Sequence, residues 1–158
     1  MIKVLFLDFD GVLNHRAHFA SLPPGRKAVE VEYDDNSFDR ACVSRLSTIV
    51  ERTGCKIVIS STWRLLHSPG KNQRILRRHG FTRERCIVGV TPDLHGRQRG
   101  HEIQSWLDEH PDVEAFAIVD DNSDMAHLLP HLVQTSFDTG LQDEHVERVV
   151  QMLKGAVA

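Results

Sequence analysis

The sequence lacks any long apolar run. Its longest uninterrupted apolar stretches have the length of a strand, which excludes a membrane-spanning helix of about 20 residues. The chain opens directly into such a stretch, without a cleavage site, so no signal peptide is expected. Cysteine is scarce. Cys42, Cys55 and Cys86 are odd in number and lack metal-ligand spacing, the pattern of reduced thiols in a cytoplasmic protein. There is no repeat, linker or low-complexity segment, so one domain over residues 1–158 is expected, large enough for a real core. Aromatic residues do not interleave with basic ones, which argues against a platform that stacks single-stranded bases.

What is present is ordinary in amount and uneven in placement. Apolar residues make up 41% and charged residues 26%, with a net charge of −3, as in a soluble globular protein. Yet from Arg64 to Gly100 nine basic residues (Arg64, Lys71, Arg74, Arg77, Arg78, Arg83, Arg85, Arg97, Arg99) face two acids, and from His101 onward two basic residues face twelve acids. On charge alone this reads as a solvated helix face, with Arg77 and Arg78 complementing a helix end. The sharper alternative is a cationic rim for a phosphate-rich substrate. His15 and His18 form an HxxH followed by a glycine- and proline-containing loop, and are expected to be solvated rather than metal-bound.

The organising stretch is Val4-Leu5-Phe6-Leu7-Asp8-Phe9-Asp10-Gly11-Val12-Leu13-Asn14. An unbroken apolar run suits a central parallel strand buried on both faces. It ends in two carboxylates one residue apart. Like charges at the end of a buried strand need a cation or a shared proton, and that end of a parallel strand is where open α/β sheets bind ligands. Phe116-Ala117-Ile118-Val119-Asp120-Asp121 repeats the device.

Between and around these strands the chain alternates. An irregular segment or flap occupies about 14–37, with Ala28 to Tyr33 alternating like a short strand. A helix capped by Ser37 runs to Gly54. Lys56 to Ser60 is a strand, and Ser68-Pro69 opens a helix closed by Gly80. Cys86 to Val90 is a strand, and Arg99-Gly100 opens a helix stopped by His110-Pro111. A short helix from Met125, a strand from Leu132 and a last helix after Gly140 complete the chain. This order implies right-handed crossovers in a doubly wound parallel sheet, an α/β three-layer fold.

Asp8-Phe9-Asp10-Gly11-Val12-Leu13 resembles the first motif of the haloacid dehalogenase (HAD) superfamily of phosphatases. The resemblance implies that Asp8 is the nucleophile and Asp10 the general acid/base, with Gly11 beside the phosphate. It implies the strand order 5-4-1-2-3. The superfamily's specificity usually comes from an inserted cap domain, and Asn14 to Ser37 is too short for a folded one, so no folded cap domain and an open site are expected. Ser60 resembles the second-motif hydroxyl, with Ser61 as second choice. Arg64 is a candidate to fork onto a phosphate oxygen, the alternative being a plain surface arginine. Arg99, with Arg97 as rival, resembles the third-motif cation. Asp120-Asp121 resembles the fourth motif, which implies Mg²⁺ held by Asp8, the Asp10 carbonyl and Asp121, with Asp120 mostly behind them. Asp124 is a weaker candidate, expected instead to cap the short helix. Ile59-Ser60-Ser61-Thr62-Trp63-Arg64, Gly89-Val90-Thr91-Pro92 and Arg99-Gly100-His101-Glu102-Ile103-Gln104-Ser105-Trp106-Leu107 are similar to HAD-type domains of RNA-repair proteins, akin to the phosphatase half of polynucleotide kinase-phosphatases. What this implies is a Mg²⁺-dependent phosphomonoesterase with an aspartyl-phosphate intermediate and an open site for large substrates, including nucleic-acid 3′ or 5′ phosphate ends. The alternatives are phosphotransfer of the phosphomutase kind and a receiver-like signalling domain. Asp10 discriminates, because a non-hydrolytic role does not need a second acid two residues after the nucleophile.

Overall fold

The computed structural model describes residues 1–23 and 37–155. The strand expected over 28–33 lies outside the described residues. The elements are β1 (Ile2–Leu7), α1 (Arg16–Ser21), α2 (Arg40–Thr53), β2 (Lys56–Ile59), α3 (Trp63–Leu66), α4 (Pro69–Arg78), β3 (Ile87–Val90), α5 (Arg99–Asp108), β4 (Val113–Asp120), a 3₁₀ helix (Ala126–His131), β5 (Leu132–Gln134) and α6 (Asp143–Gly155). The five strands form one parallel sheet in the order β3-β2-β1-β4-β5, the expected order read from the other edge.

Alternate residues of β1 serve opposite faces. Leu5, Leu7 and Phe9 join a core with side chains of α2, α4 and α6, among them Leu46, Leu76 and Val149. Val4 and Phe6 join a second core with Ile103 and Trp106 of α5, Met125 just before the 3₁₀ helix and Leu128 within it. Phe6 meets the rings of Trp106 and Phe116 edge-on at 5.5 and 5.9 Å. Val4 through Leu7 are wholly buried, and each large side chain so buried contributes about 1.5–3 kcal/mol. That burial holds β1 central.

The helix starts follow local chemistry. Ser68 accepts from the Lys71 N–H ahead of Pro69, as expected. Gly54, in the left-handed region at φ 68°, ends α2. The start of α2 differs from expectation: Asp39, not Ser37, is the cap, accepting from the Ala41 N–H at 2.9 Å. Phe38 is drawn out of the helix into an aromatic pile with Phe9 and Trp63, so the helix begins beyond it. Two short helices arise where none was expected: α1 within the irregular segment, and the single turn α3.

Candidate active site

The chain connects β1 to β2 on one side and β3 to β4 on the other, so the sheet reverses its winding beside β1. The carboxyl edge at such a reversal is the usual crevice of open α/β sheets. There the registers β1–β2 and β1–β4 set Ser60, Asp8 and Asp120 in one row, continued from β2 to β3 by Thr91. The Ser60 and Asp8 N–H groups extend the ladders, donating to the Leu7 and Val119 carbonyls at 3.0 Å. All four side chains belong to the face of Val4 and Phe6, and all four are buried.

Carboxylate oxygens of Asp8, Asp120 and Asp121 lie within 4.8 Å of one another. Arg99, on the first turn of α5, enters this cluster. Its Nη1 donates to Asp120 Oδ2 at 2.6 Å and lies 3.3 Å from Asp8 Oδ1. Asp120 is fully buried, and its other oxygen accepts from the Asn122 N–H at 2.9 Å. One arginine does not balance three acids. Burial, then the charge of Asp120, pushes the Asp8 carboxyl up to about 8, and burial and Asp120 likewise raise Asp121. Such a group of hard oxygen donors with excess negative charge fits Mg²⁺.

Two glycines make the cluster possible. Gly11 has φ 80°, and a Cβ there would overlap the Asp121 carboxylate. A Cβ on Gly100 would overlap the Met125 carbonyl. This close approach lets the Gly100 N–H donate to the Asp124 carbonyl at 3.1 Å and brings the head of α5 against the loop after β4.

Asp10 stands apart from the cluster. It is exposed, and both its oxygens are held: Oδ1 accepts from Asn14 Nδ2 at 2.9 Å and Oδ2 from Trp63 Nε1 at 3.1 Å. Nothing in the residue spacing pointed to Trp63 or Asn14. Of the second-motif candidates, Ser61 Oγ accepts from the Trp63 N–H at 3.2 Å. Ser60 Oγ is buried and, among the described residues, has no hydrogen-bond partner, so it is free to donate to a ligand atom. Arg97 is exposed.

Four expectations are corrected. Arg64 is neither a surface residue nor available to a phosphate. Its Nε donates to Thr91 O, Nη1 to Ser60 O and Ser61 O, and Nη2 to Pro92 O and Glu102 Oε2, at 2.9–3.3 Å. Five N–H donors meet five acceptors. The Gly11 N–H is likewise engaged, by Asn14 Oδ1 at 3.0 Å, so that glycine makes room for Asp121 rather than binding a phosphoryl oxygen. Asp124 does not cap the 3₁₀ helix; its carboxylate lies toward the Arg99 N–H at 3.5 Å. His15 is buried: its Nδ1 caps α1 through the His18 N–H, which leaves Nε2 to donate to Asp39 at 2.7 Å. Asp39, the cap of α2, thereby accepts from His15, the cap of α1, and from Cys42 Sγ at 3.8 Å, which ties α1 to α2.

Within the basic segment only Arg99 reaches the acidic cluster, and the far end of α4 lies away from it. α4 returns from the carboxyl edge of β2 toward the amino edge of β3. Its ten residues span about 15 Å, which sets Arg77 and Arg78 at the end away from Asp8. Arg77 pairs with Glu84 at 3.1 Å and Arg83 with Glu51 at 2.9 Å.

The family model of the HAD domain in Swiss Army Knife RNA repair proteins matches residues 4–146. The chain therefore belongs to this family, within the HAD superfamily, whose membership points to a hydrolase of the phosphatase type. Comparison with curated proteins finds no match. Among the described residues, no helix is long and apolar enough to cross a membrane.

Proposed function

We propose that the protein is a phosphomonoesterase that forms an aspartyl-phosphate on Asp8 and hydrolyses it, with phosphorylated nucleic-acid ends as the substrate class. The observation that carries the reading is the undercompensated cluster of Asp8, Asp120 and Asp121 with Arg99 inserted between two of them. The family's association with RNA repair supports the substrate class.

An Asp8 oxygen attacks phosphorus as the bond to the leaving oxygen breaks, and Asp10 delivers a proton to that oxygen. Asp10 then takes a proton from the water that attacks the acyl phosphate. Ser60 Oγ donates to a phosphoryl oxygen. Arg99 holds Asp8 in place and offsets its charge. Mg²⁺, held by Asp8, Asp121 and the Asp10 carbonyl, would supply the charge that keeps Asp8 ionised and neutralises the phosphoryl group. Asp120, with both oxygens engaged by Arg99 and the Asn122 N–H, supports this set from behind. The exposure of Asp10 favours water over a second substrate hydroxyl as acceptor.

The test is hydrolysis of 3′- and 5′-phosphorylated oligonucleotides, nucleotides, sugar phosphates and phosphopeptides, with Mg²⁺ and with EDTA. Turnover is expected only with the metal, and Asp8→Asn should lower kcat at least ~10³-fold. Undiminished turnover in EDTA, or an active Asp8→Asn protein, overturns the reading. A clear preference for phosphopeptides removes the nucleic-acid assignment alone.

A further inference from the structure

We infer that Trp63 and Asn14 are positioning residues for Asp10, fixing the direction in which its carboxyl group delivers a proton to the leaving oxygen. The inference rests on the phosphatase reading above and adds two residues that act through Asp10 without touching substrate.

The geometry is unusual for an exposed carboxylate. A side chain in that position ordinarily turns freely and gains little from its neighbours. Here each oxygen has its own donor: the Asn14 amide on Oδ1 and the Trp63 indole N–H on Oδ2. Two donors on two oxygens fix both the position and the plane of the carboxyl group. Each oxygen still has one lone-pair direction open, so the group can carry a proton and present it outward.

Both donors are themselves anchored. The Trp63 ring is stacked on Phe38 at 5.0 Å, with an interplanar angle of 29°, and meets Phe9 edge-on at 5.4 Å. Phe9 and Phe38 are buried, so the indole is fixed by the core. Asn14 is almost wholly buried. Its Oδ1 accepts from the Gly11 N–H and its Nδ2 also reaches the Ser37 carbonyl at 3.3 Å. Phe9, between the two acids, thus helps place the indole that holds the second of them. Precise placement of a proton donor is where a small displacement costs most.

A merely structural role for Trp63 would lower activity on all substrates alike. A positioning role depends on the leaving group. An alkyl phosphate needs its leaving oxygen protonated, whereas 2,4-dinitrophenyl phosphate expels a stable anion and does not. The informative quantity is kcat/KM on an alkyl phosphate divided by kcat/KM on the dinitrophenyl ester, which reports the step that phosphorylates Asp8. Asp10→Asn is expected to lower this ratio about 100-fold, the low end of general-acid effects. Trp63→Phe keeps a ring in the pile and removes the N–H; it should lower the ratio about 10-fold. Asn14→Ala removes the amide donor without adding a charge beside Asp10 and should act in the same direction, which covers a Trp63 variant that fails to fold. The contact is read separately from activity through the Trp63 indole N–H resonance, assigned by its loss in Trp63→Phe and expected to move in Asp10→Asn.

If Asp10→Asn lowers the ratio and both positioning variants leave it unchanged, the inference is overturned and the phosphatase reading stands. If Asp10→Asn itself leaves the ratio unchanged, the acid role of Asp10 is wrong and the inference falls with it. An indole resonance unmoved by Asp10→Asn overturns the contact whatever the kinetics.

Discussion

Two largely buried arginine side chains lie at the carboxyl edge of the sheet, and their surroundings are opposite. On the β1–β4 side, Arg99 confronts Asp8, Asp120 and Asp121 and leaves them with excess negative charge. On the β2–β3 side, Arg64 is matched donor for acceptor by four carbonyls and one Glu102 oxygen, with side chains 3% and 10% exposed for the pair. The first half of the edge calls for a cation or a shared proton. The second is electrostatically complete and serves as a clamp on the strand ends that carry Ser60 and Thr91. Both arginines sit among candidate site residues, yet only the partners brought by the fold separate a site from its scaffold.

The comparison breaks most sharply at Arg64. Arg64→Met leaves Glu102 charged, buried and short of its partner, and leaves carbonyls unpaired. A loss of about 3–5 kcal/mol is expected by denaturant unfolding. Glu102→Gln in the same chain should restore part of that loss, because it removes the stranded charge. Below the melting transition, KM for a phosphomonoester should be little changed. A variant with intact stability and a KM raised tenfold would instead return Arg64 to the substrate.

The same contrast marks how far the sequence could be read. The paired acids, the buried strands before them, the cap at Ser68 and the arginine at the head of α5 are local patterns, and the structure has them where they were expected. The order of the strands came from resemblance, since periodicity does not rank neighbours. Arg64 was misjudged because its decisive partners, Thr91 and Glu102, lie 27 and 38 residues away in the chain. The Trp63–Asp10 contact spans 53 residues and has no local signal at all. Ser37 lost its cap role because Phe38 is claimed by the rings of Phe9, just after β1, and Trp63 of α3, a tertiary demand that overrides a sound local rule.

The Arg99 side is sharpened by pH. Burial and Asp120 raise the Asp8 carboxyl from 3.8 to about 8 without metal. A folded-state pKa above the unfolded one means that the folded protein binds a proton the unfolded chain releases. The resulting stabilisation is full below about pH 4 and is lost as pH rises through about 8. Metal-free protein should therefore lose this contribution between those limits. Mg²⁺ competes with that proton, so its stabilisation should be larger at pH 8 than at pH 5. At a hundredfold excess over Kd it amounts to about 2.7 kcal/mol, several degrees in Tm. Equal Tm gains at the two pH values would mean that the ion binds elsewhere.

The smallest effect concerns a region that resembles neither half. Arg77 and Arg78 end α4 at the side of the sheet away from Asp8, and Arg77 is already paired with Glu84. Both partners of that pair are more than half exposed, so the pair is screened and contributes no more than about 1 kcal/mol. Replacing both arginines with alanine should lower stability by about that much at most, through the pair and the helix end. A rim that gathers polyanions would act differently. It would raise KM for a phosphorylated oligonucleotide, spare p-nitrophenyl phosphate, and make the oligonucleotide KM steeply salt-dependent, because each lost phosphate contact is a counterion no longer released. From the far end of a helix about 15 Å long, the attraction toward the site is reduced further by a Debye length of about 10 Å at 0.1 M salt. The expected result is that the double variant shifts KM for both substrates by less than about twofold at physiological salt. A selective rise for the oligonucleotide would show that the chain beyond the phosphate runs down α4, and would make this helix part of the substrate's path.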